Sequence, residues 1–209
     1  MTQYAPQGFR MLPTGVKHLL IINCLLFALY YVGQMTLHLN INALLGLWTP
    51  VDGGYFRLWQ PITYMFMHAN FSHLLFNMFA LWMFGYVLEN FWGTKRFLIY
   101  YFVCGIGAAL LTMLLSATGL MSGFHNTVGA SGAVYGILLA FGMMFPEERI
   151  YLYFFVPIKA KWFVIIFAAI ELIQGVFYTS DGIAHFAHLG GMVFGLLLIL
   201  WWRNRSYRR

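Results

Sequence analysis

Two side chains in this sequence are well suited to chemistry, Ser131 and His188, and both stand in apolar stretches. Ser131 is held in Val128-Gly129-Ala130-Ser131-Gly132-Ala133, with Tyr135 four residues on. His188 is held in Ala187-His188-Leu189-Gly190-Gly191. A polar group inside a membrane span is costly and marks a functional site by default. A hydroxyl and an imidazole that meet make a nucleophile and its base. His73 and Asn77 form a second pair, four residues apart, and project from one helical face. Both donate hydrogen bonds, and each donor aimed at a developing oxyanion is worth about 3–4 kcal/mol. Such a pair equally serves as polar glue between helices, and spacing alone leaves both readings open.

The segments that carry these residues are membrane segments by composition. The 209 residues are 61% hydrophobic and 9% charged, whereas a soluble domain averages about 25% charged. No formal charge lies between Lys17 and Asp52, Arg57 and Glu89, Arg96 and Glu147, or Asp181 and Arg203. A bilayer core of about 30 Å takes roughly 20 apolar residues per helix, so the chain reads as an all-α membrane protein. The net charge of +6 comes from basic residues at span ends, where they set topology, so nucleic acid is not an expected partner. Pro6, Gly8 and Pro13 break up the N-terminus, and no cleavable signal peptide is expected.

Six transmembrane helices are predicted, at about 16–36, 69–91, 95–116, 129–145, 160–178 and 184–203. The cluster Gly119, Ser122, Gly123, His125 and Asn126 separates the third and fourth, and Thr179-Ser180-Asp181-Gly182 the fifth and sixth. With the N-terminus in the cytoplasm, Arg10, Lys17, Lys95, Arg96, Arg149, Lys159, Lys161, Arg203, Arg205, Arg208 and Arg209 lie inside and only Arg57 outside. That split fits the positive-inside rule and places both termini in the cytoplasm. The chain is read as one membrane domain over 1–209, with a short cytoplasmic N-terminus at 1–15 and a basic tail at 203–209. Between the first two helices, residues 37–62 mix Trp48, Tyr55, Phe56 and Trp59 with Pro50, Gly53, Gly54 and Pro61. This is either an interfacial loop or an embedded outer loop that shapes access to a site.

Orientation brings the polar residues to one side. The second, fourth and sixth helices enter from the outer face, and His73, Asn77, Ser131 and His188 all lie near their starts. From Ser131 to Pro146 is 15 residues, or roughly 22 Å of helix, which leaves Ser131 about 8 Å below the outer edge of the core. A pocket open to outside water is therefore expected. Gly132 and Gly136 on the fourth helix, and Gly191 and Gly195 on the sixth, form small-xxx-small faces that let backbones approach. Tyr135 shares a face with Ser131 and is expected to stack on the His188 ring.

Taken together, these residues resemble the rhomboid family of intramembrane serine proteases, over nearly the whole chain. The resemblance rests on Gly129-Ala130-Ser131-Gly132, Ala187-His188-Leu189-Gly190-Gly191, His73-Leu74-Leu75-Phe76-Asn77 and Gly85-x-x-x-Glu89-x-x-x-Gly93, in this order. It implies a rhomboid-like bundle of the bacterial six-helix form, in the plasma (inner) membrane. It implies a Ser131–His188 dyad without an acidic third member, cutting peptide bonds in or beside transmembrane segments of other membrane proteins. Asp181 falls outside the sixth helix and Glu171 about halfway along the fifth, away from the outer mouth, so Tyr135 is left to position the ring. Gly129 would leave room for the oxyanion, with His73 and Asn77 as its donors. Many relatives have Trp-Arg in the first outer loop where this chain has Phe56-Arg57, which puts loop anchoring in doubt.

His185 is read as a polar residue at the helix mouth, because Leu-Gly-Gly follows His188 instead. His68 is assigned a structural hydrogen bond and Glu89 a cap or cross-link at the inner end. Cys24 and Cys104 read as buried small hydrophobes. No cofactor is implied, and no metal site, since HExxH is absent and the pair His185/His188 lacks a third ligand. Two other classes compete. A rhomboid-like pseudoprotease would bind membrane clients without cleavage, yet such proteins lose the Ser or the His. A transporter would show charged paths or repeated broken helices, and the sequence has neither.

Overall fold

The computed structural model describes residues 9–38, 40–51, 54–120, 126–152, 155–177 and 185–206. Asp52, His125, Asp181, the break at Thr179-Ser180-Asp181-Gly182 and the end of the basic tail lie outside the described residues.

Long apolar helices dominate: α1 (Thr14–Leu37), α4 (Phe71–Trp92), α5 (Thr94–Ala117), α7 (Ala160–Phe177) and α8 (His185–Ser206). These five are long and apolar enough to cross a membrane. Between α1 and α4 lie two short helices, α2 (Ile41–Leu45) and α3 (Gln60–Thr63), the second continued by a 3-10 turn at Tyr64–Phe66. The remaining apolar helix, α6 (Ser131–Met144), has 14 residues, about 21 Å at the usual rise. It is shorter than the bilayer core and is enclosed by α4, α5, α7 and α8. Its first residue is Ser131.

Outward-facing side chains explain why this bundle needs lipid. Leu25, Leu29 and Met35 on α1, Phe76 on α4, and Ile165, Leu172 and Ile173 on α7 are exposed. Apolar surface on that scale is not left facing water, and the chain is a multi-pass membrane protein.

Small residues set the helix spacing. A Cβ at Gly191 would collide with the Gly132 carbonyl, and one at Gly136 would meet the Cys104 side chain and the Gly191 carbonyl. The α6 and α8 backbones therefore touch directly. Gly195 does not join that seam as its spacing suggested: it faces Tyr100 and Cys104 on α5. Gly190, next to Gly191, lies against Ala108 and Leu111, also on α5. The spacing marked a close approach correctly but could not say to which partner. Cys104 is buried as expected, while Cys24 is exposed on the outer side of α1.

The end far from Ser131 is held by charge. Helix α1 follows Pro13 and has no side-chain cap of its own. Glu89 of α4 supplies one: its Oε1 accepts from Gly15 N at 2.7 Å and its Oε2 from Val16 N at 2.7 Å. Thr94 Oγ1 donates to the same carboxylate at 2.6 Å. A carboxylate at a helix N-terminus satisfies orphan donors and opposes the helix dipole, which realises the cap expected of Glu89. Gly93, with φ +79°, turns the chain from α4 into α5.

An element absent from the sequence reading follows α6. Strands β1 (Arg149–Leu152) and β2 (Val156–Lys159) form an antiparallel hairpin that pairs Arg149 with Lys159 and Ile150 with Ile158. Just before it, Glu147 accepts from Lys159 Nζ at 2.6 Å and Lys161 Nζ at 2.5 Å. These two ammonium groups hold its carboxyl down to about 2.

Candidate active site

The site is built where the starts of α4, α6 and α8 meet. Asn70 fixes the first of these: its Oδ1 accepts from His73 N at 2.8 Å, an N-cap that places His73 on the third residue of α4. Asn77, one turn on, donates from Nδ2 to the His73 carbonyl at 2.9 Å and is buried. Asn77 carries two N–H donors, of which this bond uses one.

The approach to α6 is pinned from the α2–α3 region. Leu47 and Thr127 exchange backbone bonds of 2.8 and 2.9 Å, and Asn126 Nδ2 donates to the Asn42 carbonyl at 2.9 Å. Gly129 N donates to the Tyr64 carbonyl at 2.9 Å. At φ +130° Gly129 has a backbone that side-chain-bearing residues rarely adopt, and a Cβ there would stand 2.8 Å from the His73 ring. The turn thus delivers Ser131 to the helix start with His73 against the bare α-carbon. These contacts favour an embedded loop that shapes the site over a merely interfacial one.

Within that loop, fully buried Gln60 is the hub, which sequence reasoning missed. Its Oε1 accepts from Trp48 N at 3.2 Å and Arg57 N at 3.0 Å, while Nε2 donates to the Leu44 and Tyr55 carbonyls. Arg57 donates to the Gly54 and Phe56 carbonyls at 2.6 and 2.9 Å. The loop is therefore anchored although its Trp-Arg pair is absent. A Gln between Trp59 and Pro61 carried no signal of burial.

Ser131 and His188 come together across the α6–α8 seam. His188 Nε2 lies 2.8 Å from Ser131 Oγ. The Tyr135 ring lies parallel to the imidazole, at 7° and 4.2 Å between centroids. The stack fixes the plane of the ring while its edge meets the hydroxyl.

Glu171 overturns the expectation of an acid-free site. Its carboxylate is buried, with Oε2 at 2.7 Å from His185 Nδ1 and 2.9 Å from His188 Nδ1. Tyr135 donates its hydroxyl to Oε1. The contact to His188 has an ion-pair distance but a direction too oblique for a hydrogen bond. Counting residues from the start of α7 hid this proximity. Glu171 lies six residues before Phe177, about 9 Å from the end of α7. His188 is three residues into α8, about 4.5 Å along it, and a glutamate side chain spans the difference. Gly175, one turn beyond Glu171 on the same face, brings α7 against His185 and Phe186.

Two other histidines lie close by. His185 begins α8, as expected, but it is 3% exposed and bonded to Glu171. His68 is 1% exposed, and neither of its ring nitrogens has a hydrogen-bond partner among the described residues. It stands edge-on to His73 at 5.1 Å, with the Phe66 backbone as its polar neighbour.

Glu171 also removes the stated objection to a metal, since it adds a third ligand atom within 4.8 Å of those of His185 and His188. The spacing nevertheless suits shared protons better. Ligands at about 2.0–2.1 Å from a tetrahedral zinc stand about 3.4 Å apart, whereas these atoms are 2.7 and 2.9 Å apart.

Comparison with known proteins agrees with the architecture. Residues 55–205 match the Rhomboid domain. RHOMBOID-like protein 1 of Arabidopsis thaliana is 34% identical over 143 residues, covering 68% of this chain and 34% of that protein. Rhomboid-like protease 3 of Toxoplasma gondii is 31% identical over 186 residues, covering 88% and 65%. Rhomboid protease GlpG of Yersinia pestis is 27% identical over 193 residues, covering 90% and 64%. The chain thus spans between about a third and just under two thirds of these relatives. With most of its length matched and its helices arranged as described, the chain belongs to the rhomboid family.

Proposed function

We propose that this protein is an intramembrane serine endopeptidase that cleaves in or next to transmembrane segments of other membrane proteins. The observation that carries the reading is the 2.8 Å contact between Ser131 Oγ and His188 Nε2 inside a membrane bundle. Ser131 Oγ attacks the scissile carbonyl while its proton passes to His188 Nε2, which later gives it to the leaving amine. The acyl-enzyme is then hydrolysed by water activated at the same nitrogen. The Ser131 N–H, at the free first turn of α6, is one oxyanion donor, joined by His73 and Asn77. Gly129 leaves the oxyanion space, and Tyr135 keeps the imidazole in plane.

The basic residues at the far end support a site near the outer face, with both termini cytoplasmic. Water enters from that face and substrate arrives laterally from lipid. A helical substrate buries its amides in its own hydrogen bonds, so attack requires local unwinding. Substrates with small or helix-breaking residues near their outer ends are therefore expected. A client-binding protein without activity would need neither Ser131 nor His188.

Reconstitution with a single-span reporter tests the reading. Cleavage is expected for the wild type and lost in Ser131→Ala and His188→Ala. Cleavage that survives Ser131→Ala would overturn it, as would a folded wild type that binds reporters of varied sequence and cuts none.

A further inference from the structure

We propose that Glu171 is the acidic positioning residue of this site, completing with Ser131 and His188 a relay of hydroxyl, imidazole and carboxylate. The inference rests on the Ser131–His188 reading and extends it. For Nε2 to accept the Ser131 proton, the ring proton of neutral His188 must reside on Nδ1. An Nδ1–H buried in a membrane bundle requires an acceptor. Glu171 Oε2, at 2.9 Å, stands where that acceptor is needed. The contact is oblique, and such bonds often align only once substrate is bound. When Nε2 gains the serine proton, His188 becomes a cation carrying both ring protons. The carboxylate stays ionised beside it and gives no proton up.

The surroundings favour a fixed carboxylate over incidental packing. Glu171 is 5% exposed, and three side chains from two helices converge on it. Tyr135 bonds Oε1 while its ring stacks on His188, so a single residue holds both the acid and the base. His185 takes Oε2 from the side, one helical turn from His188. A buried carboxylate left unpaired would be costly, so these partners keep it charged and aimed. Gly175 permits the approach of α7 to α8 that brings it there.

The test is steady-state cleavage of the reporter in proteoliposomes by wild type, Glu171→Gln and Glu171→Asp, with thermal unfolding of each in detergent. Glu171→Gln keeps the shape and removes the charge. It is expected to lower kcat tenfold or more with KM within twofold. The loss should stay below the roughly 10⁴-fold of a triad whose acid alone fixes the ring, because Tyr135 also orients it. Glu171→Asp restores the charge one methylene further back and should regain part of the lost kcat. A Gln variant that turns over within twofold of wild type overturns the proposal, as does a loss confined to KM or to unfolding temperature. Should the Gln variant not fold, a folded Glu171→Ala or Glu171→Met variant, which also lacks the carboxylate, overturns it equally if its kcat is that of wild type. Cleavage surviving Ser131→Ala would instead remove the reading on which the proposal rests. Zinc that inhibits wild type but not His185→Ala, with Glu171→Gln at wild-type kcat, would assign the cluster to a metal.

Discussion

Replacing Gly129 by alanine separates the contribution of the turn from that of the residues it carries. Two costs follow from the geometry. The backbone sits at φ +130°, and holding a side-chain-bearing residue in so sparse a region costs of order 1–3 kcal/mol. The added Cβ would also stand 2.8 Å from the His73 Cε1 and Nε2, against an ordinary contact of at least 3.4 Å. The ring must therefore retreat by about 0.6 Å, the difference of those two distances. If His73 is an oxyanion donor, losing its alignment costs about 3–4 kcal/mol in the transition state, or 10²–10³ in kcat. The substitution is thus expected to lower kcat at least about 100-fold with KM nearly unchanged, and to lower folding stability by the smaller amount. Reporter cleavage in proteoliposomes reads the first and thermal unfolding in detergent the second. A double-mutant cycle with His73→Ala then locates the loss. If His73 is the target, the second substitution adds little to the first. Wild-type kcat in Gly129→Ala, or strict additivity with His73→Ala, would refute the reasoning.

Two further predictions concern the opposite end of the bundle. Glu89→Ala strands the N–H groups of Gly15 and Val16 in a buried helix end. At about 1–3 kcal/mol per orphaned donor, stability should fall by about 2–6 kcal/mol, and an unchanged unfolding midpoint would contradict the cap. The Glu147 contacts to Lys159 and Lys161 depress its carboxyl to about 2. Their contribution should be fully present above the ordinary carboxylate range near pH 4.5 and be lost as pH falls through about 2. Titrating that carboxyl by carbon-detected NMR in wild type and in Lys159→Ala/Lys161→Ala checks this, and equal midpoints would contradict it.

Helix boundaries were legible because lipid makes the rule simple: charges and glycine clusters fall at span ends. The helices expected at 16–36, 95–116 and 160–178 are found at 14–37, 94–117 and 160–177. Ser131 and His188 were legible for the same reason, since a polar group in an apolar run stands out. Glu171 stood out too, but sequence distance gives depth and not azimuth. Only the approach of α7 to α8 at Gly175 shows that its carboxylate reaches the His188 ring. Gln60 was invisible because a polar residue in an aromatic loop reads as interfacial, whereas here it satisfies four backbone groups. The hairpin at 149–159 did carry a signal, alternating Ile150 and Leu152 with polar residues. Its two short strands were overshadowed by the charges that mark a span end.

In the proposed mechanism the Ser131 hydroxyl is made nucleophilic by His188. Mass spectrometry of the protein after treatment with a fluorophosphonate measures this directly, without a substrate. A single phosphonyl adduct is expected on the peptide containing Ser131, absent in Ser131→Ala and formed far more slowly in His188→Ala. An adduct that forms equally fast without His188, or a protein that cleaves its reporter while Ser131 stays unlabelled, would contradict the account.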